Sequence, residues 1–148
     1  MADVKDPAIA EGESYEKVRS DKDDETWVLF DYQDEKSNKL QLTETGTGDI
    51  AEFASKLDNG RASYGFVRVK YSNDEHSTRE KFVFVIWIGP EVKVMRRARV
   101  SVHAADVKSV IRSFSMELKV SSIDELKEDT VVNQLRRLGA NYDRSKFN

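Results

Sequence analysis

The segment REKFVFVIWIGPEVKVMRRARV, residues 79–100, limits the possible folds more than any other part of the chain. Seven apolar residues, Phe82 to Ile88, run unbroken between Lys81 and Gly89. The run is far shorter than the ~20 residues of a membrane-spanning helix. Its β-branched and aromatic content favours a strand. A strand with one wet face alternates apolar and polar residues, whereas an unbroken apolar strand is covered on both faces. The segment 80–89 therefore predicts a central strand with helices on each side of its sheet.

The rest of the chain supplies those layers. Asp6-Pro7 reads as a helix start, and Tyr15 and Val18 mark the better half of that helix, since Gly12 weakens the first half. TWVLFDY (26–32) and KLQLTET (39–45) read as strands joined by a hairpin loop. Asp49 with Glu52 forms a capping box for a helix bearing Ile50, Phe53, Ala54 and Leu57, which the DNG turn ends. ASYGFVRVKYS, 62–72, is a third strand. Val107, Val110, Ile111 and Phe114 give the clearest helical spacing in the chain. ELKVS, 117–121, is a short strand. Ser122 with Glu125 opens a last helix through Leu126, Val131, Leu135 and Leu138, with Arg136 and Arg137 in its final turn and Gly139 just past its end. The expected fold is α/β of the α+β type: a mixed, largely antiparallel sheet of about five strands with helices on both faces. The 148 residues form one domain, ending in a polar tail at about 140–148 with Tyr142 as its anchor.

Residues 91–103 pose a geometric conflict. On a helix, Lys93, Arg96 and Arg97 share one face, and Val94, Met95, Ala98 and Val102 lie opposite. That apolar face is rotated by roughly 160° from the one at 107–114. One rigid helix cannot bury both against one sheet, so a break is expected near Ser101–His103. A strand is the second reading, because Val92, Val94, Ala98, Val100 and Val102 alternate, but Arg96 interrupts that face.

Few chemistries fit the residues. The chain has no cysteine and two histidines, His76 and His103, so no zinc pattern forms and a reducing compartment is expected. SNDEH, 72–76, lacks the spacing and glycine of a calcium loop. TGTGD, 45–49, precedes a helix but has neither glycine-rich phosphate-binding pattern. No nucleophile motif joins Ser to His. No catalytic residue, metal or cofactor is expected. The N-terminus lacks the apolar core of a signal peptide, and no run is long enough for a transmembrane segment. Residues 1–60 hold 16 acidic and 7 basic side chains; residues 61–148 hold 11 and 17. The basic half could meet an acidic partner, but an overall net charge of −3 argues against nucleic acid.

KFVFVIWIG, the basic segment after it, and LGANYD near the C-terminus resemble the ADF/cofilin homology domain family. Tyr15–Asp21, WVLFDY at 27–32, YGFVRVK at 64–70 and DVKSVIRSFSMEL agree best with the coactosins within it. The resemblance spans essentially the whole chain. It implies an actin-filament side-binding protein that regulates actin dynamics without typical severing or depolymerisation, with opposition to barbed-end capping as a further implied role. It carries the filament contact onto Arg79 and Lys81 at the start of the fourth strand. It also carries it onto the segment after that strand, here Lys93, Met95, Arg96, Arg97 and Arg99. The family often has another basic residue where this chain has Thr78. The cofilins' monomer-binding helix start is matched here by VMRRARVSV, where only Met95 and Ala98 echo the pattern. The implied partner is filamentous actin, and the implied place is the cytoplasm and the actin cytoskeleton, as a monomer. Two other readings stay open: a cofilin-like monomer-binding, severing factor, and a membrane-surface module binding phosphoinositides through the same basic patch.

Overall fold

The computed structural model describes residues 13–20, 24–34, 36–72 and 78–146, with side chains described from Tyr15 to Leu138 within those ranges. The elements in order are α1 (Glu13–Arg19), β1 (Trp27–Tyr32), β2 (Leu40–Gly46), α2 (Ile50–Ser55), β3 (Ala62–Ser72), β4 (Thr78–Ile88), α3 (Val94–Lys108), β5 (Met116–Val120), a 3-10 turn (Ile123–Leu126) and α4 (Glu128–Lys146). The helix start read at Asp6-Pro7 and the turn holding His76 lie outside the described residues.

The strands form one sheet in the order β2-β1-β3-β4-β5. Pairing is antiparallel except between β4 and β5, which run parallel from Val83↔Met116 to Trp87↔Val120. β4 is therefore interior, with β3 as the middle strand. Alternation along β4 sends its side chains into two separate cores. Phe84, Ile86 and Ile88 meet Tyr15, Val18, Tyr64, Val100, Ala104 and Val107 under α1 and α3. Val83, Val85 and Trp87 meet Phe53, Ala54, Val131 and Leu135 under α2 and α4. Every residue from Val83 to Ile88 is buried, as the unbroken run predicts. Burying such a side chain stabilises by about 1.5–3 kcal/mol.

The turn after β4 sets the direction of α3. A Cβ on Gly89 would lie 2.1 Å from the Asn59 carbonyl oxygen, so a side chain there has no room. The Gly89 N–H donates to Arg61 O at 3.0 Å and the Glu91 N–H to Asn59 O at 2.9 Å. These bonds pin the entrance of α3 to the loop before β3.

Several local expectations need correction. α3 is one continuous helix from Val94 to Lys108, with no break at Ser101–His103 and no strand. It resolves the two-face conflict by burying only Val100, His103, Ala104 and Val107. Val94, Met95 and Val102 are left 81%, 69% and 67% exposed. The helix then stops at Lys108, short of Val110, Ile111 and Phe114. The chain must turn there to lay β5 beside β4: the Ser115 N–H donates to Phe82 O, and the Phe114 ring stacks on Phe84 at 5.3 Å. Asp49 caps α2 through the Glu52 N–H. The Glu52 carboxylate bonds the Trp27 indole N–H at 3.1 Å. The Ser122–Glu125 box does form, but it opens the 3-10 turn, not the long helix. α4 starts at Glu128 and passes through Gly139 to Lys146, so Gly139 is interior and Arg136 and Arg137 lie mid-helix.

Candidate functional site

The residues expected to bind do not form one patch. Arg79 and Lys81 sit at the start of β4; Lys93 to Arg99 lie beyond its other end. Lys81 and Ile88 are seven residues apart, about 23 Å along an extended strand. The two groups also occupy opposite faces. Lys81 and Arg79 continue the alternation of Val83, Val85 and Trp87, on the α4 side, while α3 packs on the other.

The β3–β4 hairpin builds the first surface. Val69 lies opposite Lys81 and Tyr71 opposite Arg79 in its register. Arg79 is exposed and Lys81 half-buried. Arg136 of α4 places its guanidinium 5.8 Å from the Tyr71 ring centroid and donates to Ser72 O. A strand pair and a helix thus bring Arg79, Lys81 and Arg136 to one end of one face. Sequence spacing marks Arg136 only as a helix-end charge. Its place beside the hairpin depends on a long-range contact that spacing does not reveal.

The second surface is the outward side of α3, and here the sequence reading is overturned for the apolar stripe and for Arg96, while Lys93 and Arg97 are exposed. Helical spacing turns Val94, Met95, Ala98 and Val102 toward a core, with Lys93, Arg96 and Arg97 outside. The observed apolar stripe faces solvent, joined by exposed Arg99 and Ala105. Arg96 turns inward instead. Its guanidinium carbon lies 3.9 Å from the Tyr32 ring centroid, and it donates to Ser37 O at 2.7 Å and Asp34 O at 3.2 Å. Arg97 reaches the carbonyls of Pro90 and Val92 at 3.3 and 3.4 Å. Arginine makes these contacts because its planar fork stacks on a ring and donates at once. Of the basic residues in this segment, Arg96 is spent on holding the helix, while Arg99 and Lys93 are exposed.

A polar network fixes the orientation of α3. Tyr32 Oη lies 2.7 Å from His103 Nδ1 and 2.9 Å from Tyr64 Oη, and the Tyr64 hydroxyl donates to Val100 O at 2.8 Å. All three contacts are satisfied when His103 Nδ1–H donates to Tyr32 and Tyr32 donates to Tyr64. Burial pushes both tyrosine hydroxyls above their ordinary range. Burial pushes His103 below its own, with nearby Arg96 and Arg99 adding to the effect. The sequence places His103 at a helix break and gives no sign of this role.

Among the described residues, no group of three or more His, Cys, Asp or Glu side chains could hold a metal ion. No described helix is long and apolar enough to cross a membrane. A cavity of about 600 Å³ lies where β1, β2 and the α3 entrance meet, lined by Asp31, Arg61, Glu91, Lys93 and Arg96 among others. Its buried carboxylate, Asp31, already accepts from Thr43 Oγ1 and Ser63 Oγ and lies 3.8 Å from Arg61.

The layered sheet thus displays one charged hairpin end and one bare helix face. The model of the cofilin/tropomyosin-type actin-binding protein family matches residues 3–136, and the chain belongs to that family. Within it the chain is similar to coactosin of Dictyostelium discoideum, 37% identical over 99% of this chain and 98% of that protein. It is 32% identical to the coactosin-like protein of Bos taurus over 88% of this chain and 89% of that one. The structure of coactosin from Entamoeba histolytica superposes with a TM-score of 0.80 at 30% identity, covering 94% of this chain and 97% of that one. Human coactosin-like protein gives 0.82 at 27% identity, covering 93% and 99%. Mouse coactosin, described as an actin filament binding protein, gives 0.73 at 29% identity, covering 97% of each chain.

Proposed function

We propose that this protein binds along the side of actin filaments and acts there, at the actin cytoskeleton, as one domain with two separate contacts. The observation that carries the reading is the outward face of α3, where Val94, Met95 and Val102 are 81%, 69% and 67% exposed on a rigid helix. Apolar atoms supply contact area, and an amphipathic helix laid into a groove is a common way to use them. Arg79, Lys81 and Arg136 form the second contact. An exposed ion pair is worth only about 0.2–1 kcal/mol, against about 8 kcal/mol for micromolar binding. The basic end therefore steers and orients, while α3 provides most of the affinity.

The two surfaces lie on opposite faces of the sheet and at opposite ends of β4. A filament presents repeated subunits, so separated contacts can meet neighbouring ones. A free monomer would engage one surface at a time, and the filament is accordingly the preferred partner. Co-sedimentation with filamentous actin at low and near-physiological salt, with the actin left in the supernatant measured, tests this. Pelleting with unchanged supernatant actin is the expected result. A rise in supernatant actin would mean monomer binding or severing, and no pelleting at either salt would refute the proposal.

A further inference from the structure

We propose that Ser101 is a phosphorylation site for a basic-directed protein kinase, and that its phosphate, clasped by Lys119, shuts the outward face of α3. The effect on partner binding rests on the proposed filament contact; the modification itself does not. Three observations converge on this one hydroxyl. The sequence before it is RRARV, which puts arginines two, four and five residues upstream at Arg99, Arg97 and Arg96. Ser101 is exposed, and its Oγ accepts a hydrogen bond from Lys119 Nζ of β5 at 2.7 Å. The Arg97 guanidinium is turned back to the Pro90 and Val92 carbonyls, so Lys119 is the cation at this hydroxyl. A phosphate carries about −1.5 to −2 charges and three strong acceptor oxygens at neutral pH. It would be added beside a cation already in place.

Position gives the modification its consequence. Ser101 lies three residues after Ala98, seven after Val94 and next to Val102, so it is part of the outward stripe. A dianion there must be desolvated when the helix enters an apolar groove, and an unpaired buried charge is strongly unfavourable. The helix also gives a kinase access to the hydroxyl. Between Lys93 and Ser101 only Val100 is buried, so this side of α3 lies open to an approaching kinase. In the reaction, the Ser101 Oγ attacks the γ-phosphorus of ATP, and the new O–P bond replaces the β–γ bridging bond. ADP leaves, and the hydroxyl proton passes to the kinase's catalytic base.

The test treats the full-length protein with a basophilic kinase and MgATP, alongside Ser101→Ala. Site mapping by mass spectrometry is expected to find phosphate at Ser101 and to lose that site in the variant; Ser115, three residues after Arg112, serves as the internal comparison. No phosphate at Ser101 while Ser115 is modified would overturn the proposal. Titration by phosphorus NMR is expected to give a phosphoserine pKa below the ordinary ~6, moving back up in Lys119→Ala. An unshifted value would refute the clasp. Filament co-sedimentation should then show about a ten-fold loss of affinity on phosphorylation of the native chain, and no change between treated and untreated Ser101→Ala. Equal pelleting before and after modification would reject the shut-off. If the unmodified chain never pellets, the filament reading fails, while the site and its clasp are still decided by the mass and NMR results.

Discussion

His103 makes the stability of this protein depend on pH. Its ring is buried among Tyr32, Tyr64 and the Arg96 side of α3, and burial lowers its pKa below the unfolded value. The folded state therefore resists protonation more than the unfolded chain does. The contribution is complete above the unfolded histidine pKa of about 6.5 and is lost as pH falls below it. Urea midpoints measured at pH 7.5 and 5.5 should fall more steeply for the native chain than for His103→Asn, whose amide can still bond Tyr32; parallel slopes would refute the assignment. Arg68 is a second buried polar residue with a defined task. Its Nε donates to Val18 O at 2.9 Å and its Nη2 to Ser20 O at 2.6 Å, closing the C-terminal end of α1. Glu80 lies 3.9 Å away as its countercharge. Arg68→Met keeps the stem but leaves those carbonyls unpaired, and should lose about 1–3 kcal/mol in chemical denaturation. Gly65 has no space for a side chain, since a Cβ would lie 2.2 Å from the Phe53 ring. Gly65→Ala should cost about 1–3 kcal/mol by overpacking.

At the scale of elements, α3 buries one side against the sheet and leaves the other, the proposed filament contact, exposed. Val100→Ala removes methyl groups from a fully buried site and should cost about 2 kcal/mol. The double change Met95→Ala with Val102→Ala touches exposed side chains and should leave the denaturation midpoint within about 0.5 kcal/mol of the native value. It should nevertheless weaken filament binding about ten-fold or more. The same helix shows where sequence reading succeeds and fails. The apolar run of β4 predicted its double burial because two covered faces leave only one pattern. β3 was legible to the residue, from Ala62 to Ser72. The mismatch of apolar faces in 94–114 was legible too, yet it admits two solutions. A chain can break the helix, or it can leave one face wet. Periodicity cannot choose between them, because a stripe of Val and Met looks the same whether a core or a partner covers it. The inward turn of Arg96 was equally hidden, since its acceptors lie about sixty residues earlier, at Asp34 and Ser37. The end of α3 at Lys108 was set by the need to pair β5 with β4, a tertiary demand that outweighs the helical spacing of Val110, Ile111 and Phe114.

For the whole molecule, the sheet lies between the two proposed contacts. It holds the basic hairpin end, with Arg79, Lys81 and Arg136, away from the apolar face of α3 and on the other side. Sites so far apart with no shared partners should contribute almost independently. Lys81→Ala should therefore flatten the salt dependence of filament binding, while the Met95/Val102 change should lower affinity at every salt concentration. The likeness to coactosins across nearly the full chain fits this arrangement, because it extends over both surfaces and the sheet between them. The most direct test of the two-contact account is co-sedimentation with filamentous actin for four proteins: the native chain, Lys81→Ala, Met95→Ala/Val102→Ala, and the combined triple variant. The account predicts that the native chain pellets, that each variant binds more weakly, and that the triple variant loses the sum of the two free energies. Native-like pelleting by both variants, or complete loss from Lys81→Ala with no further effect of the α3 changes, would contradict it.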